Sequence, residues 1–242
     1  MENPYEDPPV LAAYVLFHYG TARDALGSLP GPENAAEFPL RCVRELLNFD
    51  RLPRSARALD LGCAVGGSTF ELSRFCQEVI GVDFSAAFIR AAESLRLESR
   101  FEAELLEQGD QTWPFQARLP AGVHPERVRF QRGDALQLPE TWTGFDVVLA
   151  ANLLCRLSEP RRLLERFSRL IPSGGQLLLT TPFTWLESFT PRARWIQGAG
   201  ALKEILSPDF TLEHETELPF LIREHARKFQ YGIAWGTCWR RR

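Results

Sequence analysis

The sequence predicts an α/β fold: a mostly parallel sheet with a C-terminal antiparallel hairpin, preceded by a helical N-terminal segment. Three observations predict it. From residue 57 onward, short apolar runs alternate with helix-length segments, the pattern of a parallel sheet with crossover helices. Phe145–Ala150 reads as a buried central strand. The last two β-like segments, about 211–221 and 230–239, are joined by a charged turn so short that they must run antiparallel.

Each element has its own signal. Asp7 and Pro8 predict a helix start, with Asp7 as N-cap and Pro8 in the first turn. Leu11, Tyr14, Val15 and His18 then share one face, and Gly20 ends the helix. After a Gly/Pro-rich loop at 27–32, a second helix begins near Pro39 with Leu40, Val43, Leu46 and Leu47 as its apolar stripe. Residues 1–55 are expected to form a lid over a pocket in the main domain, 56–242. There the first strand covers about 57–61, and the next helix carries the capping-box pattern Ser68-x-x-Glu71. The second strand ends at Asp83, and a helix through Phe88, Ile89 and Leu95 follows. Residues from about 99 to 125 read as a less regular insertion. The third strand spans 127–131, the fourth 145–150, and the fifth 176–180 after a helix at 160–170. A helical stretch at 202–206 precedes the closing hairpin.

The most informative segment is 58–67, Ala-Leu-Asp-Leu-Gly-Cys-Ala-Val-Gly-Gly, followed by a second strand ending at Asp83 and Phe84. A strand, a small-residue turn, a helix and a second strand ending in a carboxylate lay an adenosine-containing ligand across the carboxyl ends of a sheet. Two ligand classes compete. Gly62-x-Ala64-x-x-Gly67 loosely matches the dinucleotide fingerprint, with Asp83 about twenty residues on as the ribose-binding acid. Asp60, two residues before the first glycine, shifts the balance. It would repel a pyrophosphate at a cost of about 1 kcal/mol or more. S-adenosylmethionine has no phosphate, and its ammonium group suits a carboxylate there. Gly62, Cys63, Ala64, Gly66, Asp83 and Phe84 join Asp60 as expected cofactor contacts, with Asp134 and Ala135 at the adenine edge and Asn152 beside the reactive methyl.

Composition excludes several classes. The formal net charge of −3 gives no electrostatic reason to expect nucleic acid. Five scattered cysteines without a C-x-x-C pair suggest neither a disulfide framework nor a metal site, and a reducing cytoplasm is the expected compartment. The acidic N-terminus has no apolar h-region, and no apolar run reaches the roughly 18 residues of a membrane span.

Substrate candidates gather in the lid and after the fifth strand. His18 and Tyr14 share a helix face, and His18 is a candidate catalytic residue beside Asn152. Arg41, after Phe38 and Pro39, is placed to grip a carboxylate bidentately. Phe183 and Trp185 leave the fifth strand where ligands collect, ready to stack on a flat substrate.

A mostly parallel sheet with a terminal antiparallel hairpin is the Rossmann-like architecture of class I methyltransferases. The motifs at 16–20 (Leu-Phe-His-Tyr-Gly), 38–42 (Phe-Pro-x-Arg-Cys), 58–67, 83–85 (Asp-Phe-Ser) and 181–185 (Thr-Pro-Phe-Thr-Trp), with the closing 228–241 strand, carry a narrower resemblance. The chain is similar over nearly its whole length to the methyltransferase domain of ovothiol biosynthesis. That resemblance implies transfer of a methyl group from S-adenosylmethionine to an imidazole nitrogen of 5-thiohistidine (4-mercaptohistidine). In many members this domain is fused behind a sulfoxide synthase; here it begins at Met1, so a separate synthase is the expected upstream partner. A selenium analogue of thiohistidine is an open alternative as substrate.

Overall fold

The computed structural model describes residues 3–242. Five parallel strands, β1 (Arg57–Leu61), β2 (Glu78–Asp83), β5 (Val128–Arg132), β6 (Val147–Ala151) and β7 (Gln176–Thr181), form the body of a seven-stranded sheet. Its order is β5-β2-β1-β6-β7-β9-β8, where β8 (Phe210–His225) and β9 (Lys228–Arg241) are the closing hairpin. β9 runs antiparallel to β7 and to β8. The chain winds outward in opposite directions from β1 and β6, and the crevice at that switch point is where such sheets bind ligands. The fold is the expected one. Among the described residues no helix is long and apolar enough to cross a membrane.

Two apolar layers cover the sheet. On one face α6 (Pro160–Leu170) and α7 (Gly198–Leu206) pack on alternate residues of the central strands, among them Leu59, Leu61, Val148 and Leu179. On the other face Ala58, Val79, Val147 and Leu149 share a core with α1 (Pro8–Tyr19), α3 (Phe38–Arg44), α4 (Gly67–Leu72) and α5 (Ala86–Glu98), and between α1 and α3 the short α2 (Ala22–Leu26) packs Leu26 with Ala35 and Leu221. The N-terminal helices thus belong to the same core as the first strand.

Helix α1 departs from its expected one-sided face. No residue from Val10 to Gly20 is exposed. The reason lies in the 99–125 segment, which is not irregular but a hairpin of β3 (Arg100–Gln108) and β4 (Gln111–Arg118). Its inward residues Ala103, Leu105, Phe115 and Ala117 alternate with polar ones, the period of a half-buried strand. The hairpin contributes these residues to the core that holds Ala12, Val15 and Leu16, so α1 is covered on its outer side as well. The closing hairpin is longer than expected, and its tip joins this layer: Ala226 N–H donates to the Glu107 carbonyl at 3.2 Å.

Two local expectations fail. Asp7 occupies the N-cap position of α1 without a side-chain hydrogen bond. The Ser68–Glu71 capping box does not form, because α4 begins two residues earlier, with Gly66 as its N-cap in the left-handed region (φ 88°). Ser68 is thereby inside the helix and donates to Asp60, while Glu71 takes Arg44 and Arg74.

Candidate methyl-donor site

The carboxyl ends of β1, β2, β6 and β7 converge on one crevice. After β1 the chain turns through Gly62, whose N–H donates to the Val82 carbonyl at 2.8 Å, and Cys63, which shares that acceptor at 3.1 Å. Ala64 N–H donates to Asp83 Oδ2 at 2.9 Å, so the turn and the end of β2 are locked together. The Cys63 thiol is buried, and burial pushes its pKa up. Glycine at 66 and 67 serves packing as much as ligand approach. A Cβ on Gly66 would lie 2.5 Å from the Phe130 ring, and one on Gly67 2.8 Å from His18 Nδ1.

Asp60, near the end of β1 just before this turn, is buried at 1% exposure. Its Oδ2 accepts from the Ser68 and Thr69 hydroxyls, both at 2.7 Å. Its Oδ1 is buried with no partner. Burial pushes the carboxyl pKa up to about 6, against the pull of the two hydroxyls, and nearby Asp83 adds to the rise. A buried acceptor without a donor costs about 1–3 kcal/mol. An ammonium group at Oδ1 removes that cost. The residues present therefore fit the methionine end of S-adenosylmethionine.

Asp83 stands half-buried, its Oδ1 accepting from Ser85 N–H at 2.8 Å. Its remaining lone pairs can receive ribose hydroxyls. Phe84 follows, 58% exposed, with the Arg132 guanidinium 5.9 Å from its ring, and offers a flat apolar surface for a base. Asp134 accepts within its own turn, from Leu136 N–H on one oxygen and from the Gln137 side chain on the other, and like Asp83 it keeps a lone pair on each. It shapes the turn, and Ala135 packs partly buried against the α6 side of the core.

Asn152 lies just past β6 with a left-handed backbone (φ 52°). Its N–H donates to Thr180, and its Oδ1 accepts from the Thr180 hydroxyl at 2.8 Å. Ala64 and Phe183, after β1 and β7, are left-handed too (φ 47° and 51°). Non-glycine residues in this region cost of order 1–3 kcal/mol and cluster at functional sites.

Of the substrate candidates, Tyr14 and Phe183 keep places at the crevice. Tyr14 packs on Phe88 and edge-on to Tyr5, and Phe183 stacks on Trp235 at 6.2 Å. Trp185 stacks on Trp195 against the core, its indole N–H buried without a partner. Phe38 is 2% exposed between Phe17 and Phe220, and is core rather than pocket wall. Arg41 is turned away as well. Its guanidinium bonds Glu45 at 2.6 Å and the carbonyls of Asn34 and Pro219, so its charge is already met by an acid. His18 is structural in its contacts: Nδ1 accepts from Gly67 N–H at 3.0 Å, and burial lowers its pKa to about 3. A ring held neutral in this way does not carry protons near neutral pH.

Three residues at the crevice escaped the sequence reading: Tyr5, Glu6 and Arg156. Glu6 accepts from Ala86 and Ala87 N–H, at 2.7 and 3.2 Å, capping α5 from a distant part of the chain. Tyr5 Oη accepts from Arg156 Nε at 3.1 Å. The residues before α1 are thereby strapped across the crevice from α5 to the turn after β6. The one signal was a basic residue four positions past Asn152.

Residues 59–179, half of the chain, match the family described as "Methyltransferase domain". The chain belongs to that family. It is 28% identical over 123 residues to an uncharacterized methyltransferase, YcgJ, of Bacillus subtilis, covering 51% of this chain and 39% of that one. With ajmaline N-methyltransferase of Rauvolfia serpentina it shares 21% over 146 residues, covering 58% and 42%. The chain thus spans less than half the length of these curated relatives. The structure of N-methyltransferase NodS from Bradyrhizobium japonicum, bound to S-adenosyl-L-homocysteine, superimposes with a TM-score of 0.53 at 18% identity, over 93% of this chain and 98% of that one. The fold is that of the class I S-adenosylmethionine-dependent methyltransferases.

Proposed function

We propose that this protein transfers a methyl group from S-adenosylmethionine to an imidazole nitrogen of a small histidine derivative, 5-thiohistidine or its selenium analogue. The observation that carries the donor half is the orphaned, buried Oδ1 of Asp60 beside Asp83, an anionic pair suited to an ammonium and a ribose and unsuited to a pyrophosphate. The acceptor half is supported by the motifs shared with the ovothiol methyltransferase domain. The names of two similar proteins, ajmaline N-methyltransferase and N-methyltransferase NodS, support nitrogen as the nucleophile.

When bound, S-adenosylmethionine supplies an already activated methyl group on a sulfonium. The chain's own residues then have to hold and align. Asp60 and Asp83 would hold the donor, and the strap through Tyr5 and Glu6 would limit water at the crevice. Asn152, clamped by Thr180, keeps its amide Nδ2 to donate to a ring nitrogen or sulfur and so orient the acceptor. Alignment of this kind can supply roughly 7–11 kcal/mol. His18 acts by position, holding α1 against the glycine turn. A partly aromatic crevice crossed by the strap suits a small flat acceptor better than a folded protein.

Incubation with S-adenosylmethionine and a panel of histidine derivatives, read by mass spectrometry and NMR, tests this. The expected product is N-methylated thiohistidine or selenohistidine. Turnover of a histidine-containing peptide, with none of the free amino acids, overturns the acceptor assignment.

A further inference from the structure

Arg156 is a cation in want of an anion. It sits in the short turn Leu154–Arg156 after β6, half-buried under the strap. Its Nε donates to the Tyr5 hydroxyl, and its Nη1 to the carbonyls of Cys155 and Thr184, each at 3.1 Å. The Phe189 ring lies 5.2 Å from the guanidinium carbon. All of these partners are neutral. Four other half-buried arginines meet an acid: Arg74 has Glu71, Arg166 has Glu140, Arg223 has Glu107 and Arg241 has Asp209; Arg127 has none, but it precedes β5, at the end of the sheet opposite the crevice. Among the described residues no carboxylate lies within ion-pair distance of Arg156, and none accepts from its Nη2.

The partners also fix where the guanidinium sits. Tyr5 comes from the strap, Cys155 from the turn that begins at Asn152, and Thr184 from the loop after β7 that carries Phe183. Three segments that border the crevice therefore meet at one planar group. Neutral partners hold its geometry and leave its charge unspent. A half-buried guanidinium whose Nη2 keeps its N–H groups, and whose charge meets no acid, is a receptor for a carboxylate oxygen.

We propose that Arg156, steadied by Tyr5, binds the carboxylate of the methyl acceptor, so that the enzyme takes free amino acids or other small carboxylates and rejects the corresponding amines. The inference rests on the methyltransferase reading above for its acceptor site, and it replaces Arg41 in the role of carboxylate partner. Arg156 is a substrate-binding residue; Tyr5 is a positioning residue that acts through it.

The test uses the full chain saturated with adenosylhomocysteine and matched acid–amine pairs as probes: 5-thiohistidine and 5-thiohistamine, histidine and histamine, tyrosine and tyramine. Calorimetry should show, in at least one pair, the acid bound tenfold or more tightly than the amine. Arg156→Met should abolish that ratio, Arg156→Lys should restore part of it, and Tyr5→Phe should lower it several-fold, with amine affinity unchanged throughout. Unaltered adenosylhomocysteine affinity in each variant shows that the fold survives. If no acid is preferred by the unmodified protein, or if the preference survives Arg156→Met, the proposal is overturned. An acid preference confined to a ring other than thiohistidine leaves Arg156 in its role and removes the thiohistidine assignment instead.

Discussion

His18 Nδ1 accepts the backbone N–H of Gly67 at 3.0 Å, joining the first helix to the first turn of α4, directly behind the glycine loop. The contact requires both residues to be what they are. A side chain at 67 would strike the imidazole, and a protonated imidazole would have no lone pair to offer.

The first prediction follows from that bond. His18→Leu should destabilise the protein by about 1–3 kcal/mol by stranding a buried N–H, whereas His18→Gln, which keeps an acceptor, should cost less. Denaturant unfolding of the two variants checks the difference. Equal losses would mean that packing and not the hydrogen bond is at stake.

A second prediction concerns pH. The His18 pKa is lowered to about 3, so an unfolded chain binds the extra proton first. His18 thus stabilises the fold above pH about 6.5, and that stability is lost as pH falls toward 3. Asp60 has the opposite sign. Its pKa is raised to about 6, so the fold binds its proton first and loses stability as pH rises from about 4 to 6. Between pH 4 and 6 the two contributions oppose each other. His18→Gln removes the His18 contribution alone, so the stability gap between the unmodified protein and the variant should widen as pH rises from about 3 to 6.5. An unchanged stability profile in the variant would contradict this.

Cofactor affinity should show the same carboxyl. An ammonium on Asp60 Oδ1 needs the ionised form, so adenosylhomocysteine should bind with constant affinity above pH about 6 and weaken by up to about tenfold per pH unit below it. Asp60→Asn should bind weakly at every pH and lose the dependence. Calorimetry from pH 5 to 8 decides the matter, and a flat profile for the unmodified protein would place the ammonium elsewhere.

Asp83→Ala should weaken adenosylhomocysteine by about 3 kcal/mol, roughly two orders of magnitude, because two charge-assisted hydrogen bonds to the ribose are at stake. Part of the loss will come from Ala64, whose N–H loses its acceptor. Asp83→Asn, which still accepts at one oxygen, should recover some of it.

Arg41→Ala should leave KM for donor and acceptor unchanged and lower stability by no more than about 1 kcal/mol, since the residue closes a local Glu45 pair and two carbonyl contacts. A raised KM for the acceptor alone would return Arg41 to the substrate site.

The sequence by itself determined the sheet and the turn geometry that links Asp60 to Asp83. Strand periodicity and the spacing of Asp60, the glycine turn and Asp83 are local properties, and the backbone they imply has few alternatives. The same is true of the closing hairpin, whose short turn admits only an antiparallel pair. Tertiary structure alone decided the acceptor side. Arg41 and Arg156 are chemically the same residue, and no local pattern tells which finds an acid and which faces a crevice. That depends on Glu45 one helical turn away in one case, and on Tyr5, 151 positions distant, in the other. His18 likewise needed the structure: its face on α1 was legible, but whether the imidazole met a ligand or the Gly67 N–H depended on how closely α4 approached. Long-range packing sets where polar groups end, and sequence periodicity carries only which face of an element they leave from.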